Sequence, residues 1–118
     1  DNLIIALIWQ EKYDEAYSLF RESVEKFPED WRMYIHGGDI CKALKKYDEA
    51  LEYYDRAGEI GTFFCDEFDG RAILYKDMGE FRKAYDEYMK MAEIYRQRGF
   101  DVEAEMIEKS ALELEDKL

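Results

Sequence analysis

The chain has 118 residues, the length of one ordinary domain. Apolar residues make up 47% and charged residues 39%, a balance that excludes a disordered tail and a membrane span. Twenty-nine acidic against 17 basic residues leave a net charge of −12, which repels nucleic acid and anionic membrane surfaces and attracts basic peptides or protein faces.

The first predicted helix, Leu3-Ile4-Ile5-Ala6-Leu7-Ile8-Trp9, is apolar around its whole circumference. Seven residues are far short of the ~20 that cross a bilayer. The run also lacks the basic flank and small-residue cleavage site of a signal peptide. A single hairpin cannot cover every side of it, so upstream repeats, a second copy of the chain or a ligand should cover the rest. The opening Asp1, in place of Met, is expected of a processed product or an excised piece.

A second helix follows with Tyr13, Ala16, Phe20 and Ser23 on one stripe, and Pro28 closes the segment. Residues 31–45 form a third, carrying Tyr34, Ile35, Gly38, Cys41 and Leu44. Tyr47, Ala50, Tyr54 and Ala57 repeat the earlier stripe. Residues 65–78 carry Phe68, Ala72, Tyr75 and Met78, and a long helix over about 80–98 carries Phe81, Ala84, Tyr88 and Met91. Residues 100–118 form a last amphipathic helix with Phe100, Ala104, Ile107, Ala111, Leu114 and Leu118 on its apolar side. Its acidic back suits the cap of a repeat array. Tyr88, Ala92, Tyr95, Gly99, Ala104 and Ala111 also fit a fourth unit overlapping the third; one long helix followed by a capping helix is preferred.

The alanines at 16, 50 and 84 are spaced 34 and 34, inside Tyr13-Asp14-Glu15-Ala16, Tyr47-Asp48-Glu49-Ala50 and Phe81-Arg82-Lys83-Ala84. An aromatic stands four residues beyond each: Phe20, Tyr54 and Tyr88. The connectors Lys45-Lys46 and Gly79-Glu80 are short, which makes neighbouring helices antiparallel. Each unit is therefore a helical hairpin. Gly37-Gly38, and Gly70 in the following unit, cost about 1 kcal/mol each against Ala. Close approach of backbones explains their presence, or alternatively a ligand lying on the main chain.

These residues resemble the tetratricopeptide repeat, a 34-residue helical hairpin. The second unit, 31–64, matches it through Tyr34, Gly38, Ala50, Tyr54 and Ala57; the third, 65–98, through Phe68, Ala72, Tyr75, Gly79, Ala84 and Tyr88. The first, 1–30, keeps Tyr13, Ala16, Phe20 and Pro28. Gly37, Cys41 and Ile4 depart from the family pattern, and Thr62 and Arg96 replace the closing proline; the Thr62 side chain can cap the next helix. The resemblance implies an all-α solenoid of about three hairpins plus a C-terminal capping helix near 100–117. Repeat packing falls to Ala16, Phe20, Gly38, Ala50, Tyr54, Ala72, Ala84 and Tyr88.

It also implies a concave groove lined by the first helix of each unit. The groove positions hold Ile5 and Trp9, then Arg32, Ile35, His36, Asp39 and Lys42, then Asp69, Ile73 and Lys76. Ile5, Ile35 and Ile73 make an apolar floor with charges of both signs beside it. The family's carboxylate clamp for chaperone tails needs cations where Asp1, Ile5, His36, Asp66 and Gly70 stand, so that specificity is rejected. Phe63-Phe64 serve hairpin packing or edge the groove.

Two cysteines, Cys41 and Cys65, with a single His36, fit reduced thiols in a cytoplasmic protein and provide no metal set. No cofactor motif and no nucleophile with a base partner is present, and His36 beside Asp39 lacks a nucleophile. The expected function is a non-catalytic scaffold that binds a protein or peptide, basic or partly hydrophobic, without nucleic acid or membrane. The alternative is self-assembly through residues 3–9, as a homodimer or part of a longer solenoid.

Overall fold

The computed structural model describes residues 2–61 and 66–118. Asp1, Thr62, Phe63, Phe64 and Cys65, and the readings placed on them above, lie outside the described residues. Seven α-helices are present among those described, with no strand: α1 (Asn2–Trp9), α2 (Tyr13–Lys26), α3 (Trp31–Ala43), α4 (Tyr47–Ile60), α5 (Asp66–Asp77), α6 (Phe81–Gln97) and α7 (Asp101–Leu112). Neighbours in sequence pack together, and the chain is an all-α array of helical hairpins. It divides into two compact units, Asp1–Glu67 and Phe68–Leu118.

One backbone device builds the tight hairpins. Glu11, Lys45, Gly79 and Gly99 all adopt the left-handed conformation, with φ of 59°, 62°, 79° and 87°. Each donates its N–H three residues back, to Ile8, Lys42, Lys76 and Arg96. The next residue donates five back, from Lys12 to Leu7, Lys46 to Cys41, Glu80 to Tyr75 and Phe100 to Tyr95, at 2.8–2.9 Å. Two carbonyls at the end of each helix are thereby satisfied. The turn then launches the following helix, because Ala16, Ala50, Ala84 and Ala104 each donate back to the residue just after the left-handed one. The first three turns stand 34 residues apart. The fourth comes 20 residues later, so α6 is the second helix of one hairpin and the first helix of another.

In the first unit, Ile4, Ala16, Phe20, Met33 and Ile40 form a buried cluster flanked by Leu7, Ile8, Leu19, Tyr53 and others. Ala50, Tyr54 and Ala57 are fully buried on α4. The approach at the glycine pair is made by aromatic rings, where backbones were expected to meet. A Cβ on Gly37 would lie under 3.0 Å from the Phe20 ring, and one on Gly38 under 3.0 Å from the Tyr54 ring. Adjacent residues on a helix point about 100° apart. One ring therefore arrives from α2 and the other from α4.

In the second unit, Ala72, Ala84, Tyr88, Ala111 and Leu114 are buried together, with Tyr75, Phe81, Tyr85, Met89 and Ile107 against them. Met78 sits at the edge, 37% exposed. The final helix is shorter than the 100–118 expected. It stops at Leu112, and a 3₁₀ turn follows over Glu115–Lys117. Phe100 and Leu118 accordingly leave the apolar seam and are about half exposed, because one precedes the helix and the other follows its end. Ala104, Ala111 and Leu114 remain buried.

The glycine notches and the left-handed turn are open to measurement. Gly38→Ala should destabilise by about 1–3 kcal/mol in denaturant melts, since the clash with the Tyr54 ring outweighs the ~1 kcal/mol gained in helix propensity. Gly58→Ala is the control: its nearest neighbour is the flexible Glu67 side chain at 3.0 Å, and it should not destabilise. Lys45→Gly should stabilise by about 0.5–1 kcal/mol, because glycine adopts the left-handed turn without the Cβ penalty.

Candidate functional site

The first candidate face is built on α3. Asp30 caps the helix, its side chain accepting from the Arg32 N–H at 3.1 Å, and the Tyr34 hydroxyl donates to the Pro28 carbonyl at 2.9 Å. With the entry fixed, helical spacing sets Arg32, Ile35, His36, Asp39 and Lys42 along one side. Arg32 is exposed, with its guanidinium 4.8 Å from the centre of the Trp31 ring. Ile35, His36, Asp39 and Lys42 are half-buried. Asp39 accepts a hydrogen bond from the buried Tyr54 hydroxyl at 2.5 Å, so the strip is tied to the ring that fills the Gly38 notch.

Burial lowers the pKa of His36 below its ordinary 6.5, while the charge of Asp39 pulls the other way. The imidazole is neutral at pH 7. On α1, which touches α3, Ile5 is half-buried, Ile8 packs against the core and Trp9 is 84% exposed.

The second unit carries its own candidates on α5. Asp69 and Lys76 are exposed and Ile73 is half-buried, at spacings that share one helix side. The Lys76 ammonium lies 5.9 Å from the centre of the Tyr88 ring. Gly70 is buried and presents no side chain.

One set of residues escaped the sequence reading. A groove of about 350 Å³ between α6 and α7 is lined by Met89, Ala92, Glu93, Arg96, Gln97 and Glu108. The first five stand before Gly99 as Ile35, Gly38, Asp39, Lys42 and Ala43 stand before Lys45. Glu108 stands after Gly99 as Tyr54 does after Lys45. Where Asp39 holds Tyr54, the α7 carboxylate holds Arg96 at 2.6 Å. The signal was the overlapping fourth unit through Tyr88, Ala92, Tyr95 and Gly99, which the sequence offered as the alternative to a capping helix.

A further unread feature is an ion pair between Arg71 and Glu87, whose side chains are 15% and 9% exposed. Lys90 lies 3.9 Å from the same carboxylate, and the guanidinium sits 4.9 Å from the centre of the Phe68 ring. Chemistry at sulfur finds little room: burial pushes the Cys41 thiol up to about 12, far from a reactive thiolate. Among the described residues no group of three His, Cys, Asp or Glu side chains could hold a metal ion, and no helix is long and apolar enough to cross a membrane.

No family model matches the chain. Over 68 residues, 58% of its length, it is 35% identical to UDP-N-acetylglucosamine–peptide N-acetylglucosaminyltransferase of Giardia intestinalis, of which this segment is 5%. The hairpin is rebuilt at 34-residue intervals with the same turn, the same hydrogen bonds and a buried alanine five residues on. This all-helical array is consistent with a tetratricopeptide-repeat protein. Among the first helices, α3 and α5 carry apolar and charged positions side by side while α1 carries apolar ones alone, and α6 adds a mixed set that its place as a second helix conceals.

His36 gives the α3 strip a pH signature. Its folded pKa lies below the unfolded value, so the unfolded chain binds more protons as pH falls through 6.5. Stability present above that pH is lost below it. Thermal melts at about pH 7.5 and 5.5 should show a larger loss for the natural chain than for His36→Gln.

Proposed function

We infer that this tetratricopeptide array is a non-catalytic scaffold that holds a protein or peptide against the first-helix strips of its hairpins. The bound segment is basic and partly hydrophobic. The observation carrying this reading is the recurrence of the α3 strip on α6, where the matching positions border an open groove of about 350 Å³. Ile35 on α3 and Met89 on α6 supply apolar contact, flanked by Asp39 and Glu93 and by Lys42 and Arg96. Charges of both signs beside an apolar centre give a peptide orientation as well as affinity. A net charge of −12 steers cationic segments inward.

The Giardia enzyme is named for acting on peptides, and only 5% of it is matched. A small segment of that kind suits a region that holds a protein and leaves chemistry to other parts. The buried Cys41 thiol and the neutral, half-buried His36 fit the same role.

Peptide display against the immobilised chain should enrich sequences with lysine or arginine beside an aliphatic residue. Ile35→Asp should weaken the selected peptides by about tenfold, the loss of one buried aliphatic contact. Circular dichroism should remain unchanged. Undiminished binding by a folded Ile35→Asp variant, together with Met89→Asp, would refute the assignment.

A further inference from the structure

A ring stands nine residues after the left-handed turn in three hairpins: Phe20 after Glu11, Tyr54 after Lys45 and Tyr88 after Gly79. Each comes from the second helix of its own hairpin, and each is buried. In α6/α7 the place nine after Gly99 belongs to Glu108. There the groove of about 350 Å³ opens beside Met89, Ala92 and Arg96. Ala92 stands seven before its turn, as Ala72 does, and Ala72 is buried together with Tyr88. A ring beside an alanine is therefore ordinary packing in this fold, and the groove is the space left where that ring is missing.

The other hairpins display the groups that hold such a ring. The Tyr54 hydroxyl donates to Asp39 at 2.5 Å, and Glu93 is the counterpart of Asp39, six before the turn. The Lys76 ammonium lies 5.9 Å from the centre of the Tyr88 ring, and Arg96 is the counterpart of Lys76, three before the turn. With no ring to meet, Arg96 reaches Glu108 at 2.6 Å, and both side chains line the groove. Glu93 is exposed, and among the described residues no lysine or arginine pairs with it. An acceptor, a cation and an apolar seat thus surround one empty place.

We propose that this groove binds the phenol ring of a tyrosine in the peptide that the array holds, which rests on the scaffold reading above. The ring lies on Ala92 beside Met89, against the Arg96 guanidinium, and its hydroxyl donates to Glu93. A further helix of the array is a poor source of the ring. Where a following first helix meets a ring of the hairpin before it, at Phe20, it brings the bare backbone of Gly37. The pattern of the array thus supplies rings from second helices and notches from first helices, so a ring for this groove comes from outside the pattern.

The test uses the full chain and three fluorescein-labelled peptides that share a lysine-leucine-X-lysine core, with X tyrosine, phenylalanine or alanine. By anisotropy the tyrosine peptide should bind about tenfold more tightly than the alanine peptide, with phenylalanine between. Glu93→Ala should bring tyrosine down to the level of phenylalanine. Glu108→Tyr should fill the groove from within, raise the melting temperature and bring all three peptides to the affinity of the alanine one. In the natural chain, the methyl resonances of Met89 and Ala92 should shift upfield with the tyrosine peptide and not with the alanine peptide. Equal affinities for tyrosine and alanine, or methyl shifts common to both, overturn the ring pocket alone; no binding by any of the three overturns the scaffold reading with it. Self-association in light scattering that Glu108→Tyr abolishes assigns the ring to a second copy and overturns the peptide as its source. Loss of the tyrosine preference in a longer polypeptide carrying this array does the same, since a ring of its own would then hold the groove.

Discussion

The geometry of the first unit depends on two rings seated where side chains are missing. Phe20 and Tyr54 reach α3 from opposite neighbours, and each finds a glycine at the point of contact. Two consecutive glycines weaken a helix by about 1 kcal/mol apiece, a cost offset by burying two large rings completely. The contact also restricts position. A ring over a bare backbone cannot slide by one residue without striking a Cβ, so α2 and α4 are registered against α3 at a single point each. Asp39, held by the Tyr54 hydroxyl, inherits that register, and through it so does the candidate strip.

The turn supplies the second constraint. Left-handed residues at 11, 45, 79 and 99 close their helices with the same pair of hydrogen bonds, although two are glycine and two carry long side chains. Because a hairpin is defined by its turn, the turn at Gly99 gives α6 a double allegiance. Its first half packs Ala84 and Tyr88 beside Ala72, as a second helix does. Its second half presents Met89, Glu93, Arg96 and Gln97, as a first helix does. A helix of 17 residues is long enough for both duties, whereas α3, at 13, is not.

Periodicity made the hairpins legible: three alanines at equal spacing and short connectors suffice to derive an all-α array without any structural information. Residue type hid other features. Nothing about Glu11 or Lys45 announces a left-handed turn, since both are good helix formers, and only the hydrogen bonds reveal it. Gly37 and Gly38 were legible as a close approach, but what approaches is set by Phe20 and Tyr54, on different helices. Nothing in the spacing marks Glu87 as buried, yet it is, paired with Arg71 of the same hairpin. For the candidate strips, sequence supplies membership of a helix side. It cannot supply the hydrogen bond that engages Asp39 or the groove that opens beside Met89.

One column pair explains how similar hairpins become distinct. Eight residues before and after each turn stand Leu3 and Leu19, Gly37 and Tyr53, Arg71 and Glu87, Met91 and Ile107. The residue types differ from hairpin to hairpin: two aliphatics, a glycine with a ring, two opposite charges, two apolar chains. Arg71 and Glu87 form an ion pair, whereas Gly37 and Tyr53 both meet the Phe20 ring of α2. The charged pair is the most selective. Removing Glu87 takes from the poorly solvated Arg71 its ion-pair partner, while removing Arg71 leaves Glu87 with only the exposed Lys90 at 3.9 Å; the pair's net gain over an apolar pair is small. Arg71 and Glu87 therefore contribute less to stability than to refusing an apolar neighbour.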